Sequence, residues 1–149
     1  MVRDHYVGGV MQPAEELTQL FRAHGRKITA QRQCIFGALE GDVTHPSAER
    51  VHDKVRRVMP NVSLRTVYQT LNDLAELGEI TVLDVGTGSA RFDPNVEHSH
   101  HHLVCRSCGK VRDLAAEFPA LLVPPGAAQG FDVASAEVVF RGLCDECRT

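Results

Sequence analysis

The stretch PNVSLRTVYQTLNDLAELG, Pro60 to Gly78, decides how this chain is read. Ser63, after Pro60-Asn61-Val62, is a helix cap; Leu64, Val67, Leu71 and Leu74 recur on one face, and Gly78 supplies the stop. The spacing predicts a helix over Leu64–Leu77 with one apolar side. Near its start the other side carries Arg65, Thr66, Tyr68 and Gln69, whose donors, acceptors and methyl groups suit base edges and phosphates in a DNA major groove. Any surface helix can present such a face, so the next segment gives it meaning. Ile80–Val85 and Ala90–Phe92 are β-rich runs joined by Gly86-Thr87-Gly88-Ser89, a hairpin signal.

Upstream, three shorter helices are expected. Leu17, Leu20 and Phe21 have helical spacing between Pro13 and His24, and Gly25 follows as a stop. Thr29 caps a second helix with Ile35, Phe36 and Leu39 as its buried stripe and Gly41 at its end. Ser47 caps a third after His45-Pro46, with Glu49 in its first turn, Val51, Val55 and Val58 facing inward, and Pro60 closing it. The last three of these four helices followed by a hairpin give the order of a winged helix, assigned here to residues 1–92. Asp93-Pro94-Asn95-Val96-Glu97 has the turn composition of a hinge. In residues 98–149, Leu103–Leu114 and Phe131–Leu143 look like strands, and Pro119, Pro124 and Pro125 between them allow only a short or broken helix. The fold class is therefore α+β.

Bulk properties agree with two small lobes: 149 residues at 43% apolar content do not fill a large enzyme barrel. No apolar run reaches the roughly 18 residues of a membrane span, and Arg3, Asp4 and His5 with two glycines do not resemble an export signal, so a cytoplasmic protein is expected. Trp is absent and aromatic content is 5%, which argues against base-stacking platforms for single strands or RNA. A net charge of −3 excludes indiscriminate coating of nucleic acid. DNA contacts must come from local clusters, Arg22, Arg26, Lys27 and Arg32 in one case and Arg56, Arg57 and Arg65 in the other, though a solvated helix face explains either equally well.

Two CxxC pairs, Cys105-Arg106-Ser107-Cys108 and Cys144-Asp145-Glu146-Cys147, are each able to aim two thiolates at one ion, and four thiolates make a structural Zn²⁺ site. Disulfides and a redox motif are the alternatives. An unexported chain keeps its thiols reduced, and neither pair has a thioredoxin-like context. Cys34, beside Ile35-Phe36, reads as a small core residue. Just before the first pair stands His98-Ser99-His100-His101-His102. On a strand His100 and His102 share a side and His101 takes the other, so the first two can clasp one ion, with Asp93 upstream and Asp113 downstream. Imidazole with carboxylate suits Fe²⁺, Mn²⁺, Co²⁺, Ni²⁺ or Zn²⁺.

A recognition helix reading Ser63-Leu64-Arg65-Thr66-Val67-Tyr68-Gln69-Thr70-Leu71, then His100-His101-His102-Leu103-Val104-Cys105-Arg106-Ser107-Cys108-Gly109-Lys110-Val111 and a terminal Cys144-xx-Cys147, resembles the ferric uptake regulator (Fur) family. The resemblance implies a homodimeric, metal-dependent repressor of double-stranded DNA operators, with a C-terminal α/β dimerisation domain held by a four-cysteine zinc site. It implies a regulatory metal, Fe²⁺ or Mn²⁺, on His45, Asp93, His100, His102 and Asp113. It also implies DNA contacts from Arg26, Lys27, Arg32, Arg57, Ser63, Arg65, Thr66, Tyr68 and Gln69. Asp93 is similar to the peroxide-sensing PerR branch, where iron-uptake members carry Glu; an iron-level repressor is the alternative, and a zinc or nickel uptake regulator a further one. The positions of an additional family metal site fall on Ala120 and Ala136, so that site is not expected. Two other classes stay in view: a zinc hydrolase, which would leave the winged helix unexplained and lacks a general base, and a metal-storing adaptor, whose DNA affinity would ignore metal.

Overall fold

The computed structural model describes residues 9–96, 100–116, 118 and 121–148; Arg3, Asp4, His5, Glu97, His98, Ser99, Pro119 and Ala120, named above, lie outside them. The chain divides into two compact units, Met1–His98 and Ser99–Thr149.

The first unit runs α1 (Ala14–Ala23), α2 (Ala30–Leu39), α3 (Ala48–Val55), α4 (Leu64–Glu76), β1 (Thr81–Leu83) and β2 (Arg91–Asp93). Three of the four helices begin with a hydroxyl cap, as their sequences require: Thr29 Oγ1 accepts from the Arg32 amide at 3.1 Å, Ser47 Oγ from Arg50 at 3.3 Å and Ser63 Oγ from Thr66 at 3.1 Å. Gly78 ends α4 at a φ of +79°, a conformation open to glycine without strain. The core is built from Leu17, Phe21, Ile35, Phe36, Leu39, Val51, Val55, Val67, Leu71, Leu74, Ile80 and Phe92, and Phe21 meets Phe36 edge-to-face at 4.8 Å. α4 thus buries the face its spacing predicts. Val58 departs from expectation, being 79% exposed: α3 stops at Val55, and the turn that follows carries Val58 away from the core. β1 and β2 pair antiparallel with Val82 opposite Phe92, and Ser47 bridges Arg91, so the entry to α3 lies along the hairpin.

The second unit is a three-stranded sheet of β3 (His101–Cys105), β4 (Val111–Leu114) and β5 (Val139–Gly142), with β3 in the centre. The run Leu103–Leu114 is two strands: β3 and β4 pair antiparallel and are joined through the first CxxC turn. β5 pairs parallel to β3, and only its four residues of the expected run Phe131–Leu143 are strand. Among the described residues between β4 and β5 there is no helix, consistent with the prolines there. No helix of the described residues is long and apolar enough to cross a membrane.

Candidate functional site

The parallel pairing of β5 with β3 puts the two CxxC turns at the same end of the sheet, where Cys105, Cys108, Cys144 and Cys147 form one cluster with sulfurs within 4.8 Å of one another. Cys108 Sγ and Cys144 Sγ are 3.8 Å apart. Four thiolates about 2.3 Å from a zinc ion sit about 3.8 Å from each other, so the spacing fits a tetrahedral centre and greatly exceeds a disulfide bond. Backbone amides of Cys108 and Cys144 hydrogen-bond the Cys105 sulfur and hold its pKa down at about 6, so it is a thiolate at neutral pH and loses that form as pH falls through about 6. At Cys147 the Ser107 hydroxyl pulls downward, but the crowding thiols Cys144, Cys108 and Cys105 prevail and push it up to about 12. Such mutual opposition is what a shared cation relieves.

In the first unit His45 and Asp93 face each other, with Nε2 and Oδ1 3.3 Å apart and both side chains at most 3% exposed. Asp93 is placed by β2, whose last residue it is, and its Oδ1 also accepts from the Asn95 amide at 2.8 Å. His45 precedes the Ser47 cap and is held by Arg91, whose guanidinium donates to its carbonyl at 3.2 Å. Its φ of +54° is left-handed, a conformation that L side chains adopt at a cost of order 1 kcal/mol and that concentrates at functional positions.

In the second unit the strand alternation works as expected. His100 and His102 share a side, with ring centroids 4.7 Å apart, and Asp113, the β4 residue opposite His102, lies before both. Asp113 Oδ1 is 3.3 Å from His100 Nε2 and 3.5 Å from His102 Nε2. These separations are long for good hydrogen bonds but close to the roughly 3.0 Å between neighbouring ligands that are each about 2.1 Å from one ion. His101 points away, stacks edge-on against Phe118 at 4.9 Å, and accepts from the Val138 amide at 2.9 Å. Sequence reasoning missed Glu137, whose Oε1 lies 2.6 Å from His102 Nδ1; nothing in its local sequence marks it, because 35 residues separate the pair.

The helix-face residues divide into engaged and exposed groups. Arg26 binds Asp73 at 2.6 Å and Glu76 at 2.7 Å on α4; the hydrogen bond to Glu76, with both carboxylate charges, raises its pKa. Arg32 binds the other Asp73 oxygen at 2.7 Å and lies over the Phe21 ring, 5.2 Å from its centroid. Both arginines therefore brace α4 from within the unit. Tyr68 donates to Glu49 on α3 at 2.7 Å, which raises the tyrosine and lowers the carboxyl. Ser63 and Thr66 are joined at the cap. Lys27, Arg57, Arg65 and Gln69 are exposed.

The model of the ferric uptake regulator family matches residues 23–140. The chain belongs to the ferric uptake regulator family. The peroxide-responsive repressor PerR of Staphylococcus aureus is 35% identical to it over 137 residues, covering 90% of this chain and 90% of that one. Among solved structures, the Helicobacter pylori ferric uptake regulator Fur matches with a TM-score of 0.70 at 22% identity, over 94% of this chain and 97% of that one, a likeness of fold. A zinc-bound manganese uptake regulator matches with a TM-score of 0.67 at 27% identity, over 86% of this chain and 98% of that one.

Proposed function

We propose that the protein is a homodimeric, metal-dependent repressor of transcription that binds double-stranded operator DNA through α4 and releases it when peroxide meets its bound iron. What supports this most is that each unit carries its own close imidazole–carboxylate set: His45 with Asp93 in the first, and His100 and His102 with Asp113 in the second. Neither set alone fills the shell of a six-coordinate ion, and the five imidazole and carboxylate donors are of the kind that would hold Fe²⁺ or Mn²⁺. An ion bound by both sets would bias the orientation of the DNA-binding unit, so binding energy becomes coupling energy. When bound, ferrous iron would supply the reduction of peroxide, and in the net two-electron exchange one peroxide oxygen goes to an imidazole while the other leaves as water. The residues His45 and His100 hold imidazoles where an oxygen can be added. Zinc on the four cysteines would stabilise the second unit, whose exposed Leu103, Phe140 and Leu143 are suited to cover by a second copy.

The test is operator affinity with Fe²⁺, Mn²⁺, Zn²⁺ or Ni²⁺ against chelated protein. Fe²⁺ and Mn²⁺ are expected to tighten binding by at least an order of magnitude. Affinity that ignores metal would leave a metal-storing adaptor as the better reading.

Within the DNA face, Arg65→Ala is expected to cost about 1–3 kcal/mol and to relax sequence preference, since a bidentate contact to a base edge is lost. Lys27→Ala should weaken all sequences alike and flatten the salt dependence by about one phosphate contact. Equal behaviour of the two variants across matched and scrambled operators would remove the distinction between reading and positioning.

A further inference from the structure

We propose that Glu137 is a positioning residue for metal binding by His102: its carboxylate takes the Nδ1 hydrogen and leaves Nε2, beside Asp113 and His100, as the ligand atom. This inference rests on the reading of His100, His102 and Asp113 as metal ligands.

The hydrogen's place follows from the contact itself. A carboxylate oxygen accepts only, and His102 Nδ1 stands 2.6 Å from Glu137 Oε1. A neutral ring with its hydrogen on Nε2 would bring two lone pairs together at that distance. With the hydrogen on Nδ1, the contact becomes a short charge-assisted hydrogen bond, and the Nε2 lone pair faces Asp113 Oδ1 at 3.5 Å, where a cation can join them. An outer carboxylate on a ligating histidine fixes tautomer and ring orientation and raises the basicity of the other nitrogen.

Glu137 is about half exposed, yet the backbone beside it is anchored. The His102 amide donates to the Val138 carbonyl at 3.1 Å, and the Val138 amide donates to His101 Nδ1 at 2.9 Å. Adjacent histidines therefore hold opposite tautomers, both set by the segment 137–138: His102 donates from Nδ1, and His101 accepts there and keeps its hydrogen on Nε2. His101 pins the lead-in to β5, and that lead-in presents Glu137 to His102. Just past the end of β5, the Cys144 amide donates to Cys105 Sγ at 3.4 Å, so the cysteine cluster holds the same two strands at their other end.

The test uses the full chain with its zinc content measured as a check of folding. Side-chain ¹⁵N NMR of the metal-free protein should show His102 protonated at Nδ1, and Glu137→Ala should lose that preference. Mn²⁺ titration should show affinity about 10- to 100-fold weaker in Glu137→Ala. Glu137→Gln, whose amide oxygen can still accept, should keep the tautomer and lose less. An Nε2-protonated His102 in the wild type, or wild-type Mn²⁺ affinity in zinc-replete Glu137→Ala, would overturn the proposal. A wild type that binds no Mn²⁺ would overturn the ligand reading instead, and the NMR result would still decide what Glu137 does to His102.

Discussion

Replacing Cys144 with serine is expected to abolish zinc binding by the four-cysteine cluster and to unfold the second unit. That unit is a three-stranded sheet with a small core, of which Val104, Cys105 and Val111 are buried members. Domains of this size rarely supply more than a few kcal/mol from burial alone. A structural zinc contributes on the order of 10 kcal/mol of apparent binding energy at neutral pH, because the site does not exist in the unfolded chain. Serine removes one thiolate from a cluster whose sulfurs lie within 4.8 Å of one another, among them the Cys144 sulfur that stands 3.8 Å from Cys108 Sγ. Zinc per chain measured after gel filtration should fall from one to near zero, and the cooperative melt of the sheet should disappear. A Cys144→Ser protein that keeps stoichiometric zinc and an unchanged melt would refute the assignment. Acid should act in the same direction, because the depressed Cys105 thiol regains its proton as pH falls through about 6.

The second large effect concerns peroxide. Brief exposure of the iron-loaded protein is expected to abolish operator binding and to add about 16 Da, one oxygen, to a peptide containing His45 or His100, distinct from oxidation of cysteine or methionine. His45 sits in a left-handed backbone conformation, its side chain 3% exposed beside Asp93, so modification there would cost both a donor and a close fit. The manganese-loaded protein should keep its DNA under the same treatment. Asp93→Glu should retain metal-dependent binding while blunting release, because a longer carboxylate at this buried position would meet an ion differently. Unmodified His45 and His100 peptides, together with DNA binding that follows iron concentration alone, would establish iron-level sensing in place of peroxide sensing.

Much of this was legible in the chain itself because the signals are local. Thr29, Ser47 and Ser63 cap their helices within three residues of the amides they bind. The strand period of two sets His100 and His102 on one side and His101 on the other, whatever else surrounds them. The CxxC pairs declare a four-sulfur cluster by composition and spacing.

Tertiary structure decided what depended on which distant segments meet. Arg26 and Arg32 stand in a basic cluster in sequence, and only the fold brings Asp73, more than forty residues on, against both and Glu76 against Arg26, so that each also braces α4. Val58 keeps helical spacing from Val51 and Val55, but α3 ends first, and a periodic pattern carries no information beyond the helix that expresses it. Glu137 meets His102 because β5 returns parallel to β3 in the register that sets Val139 opposite His102 and so brings the segment just before β5 alongside it.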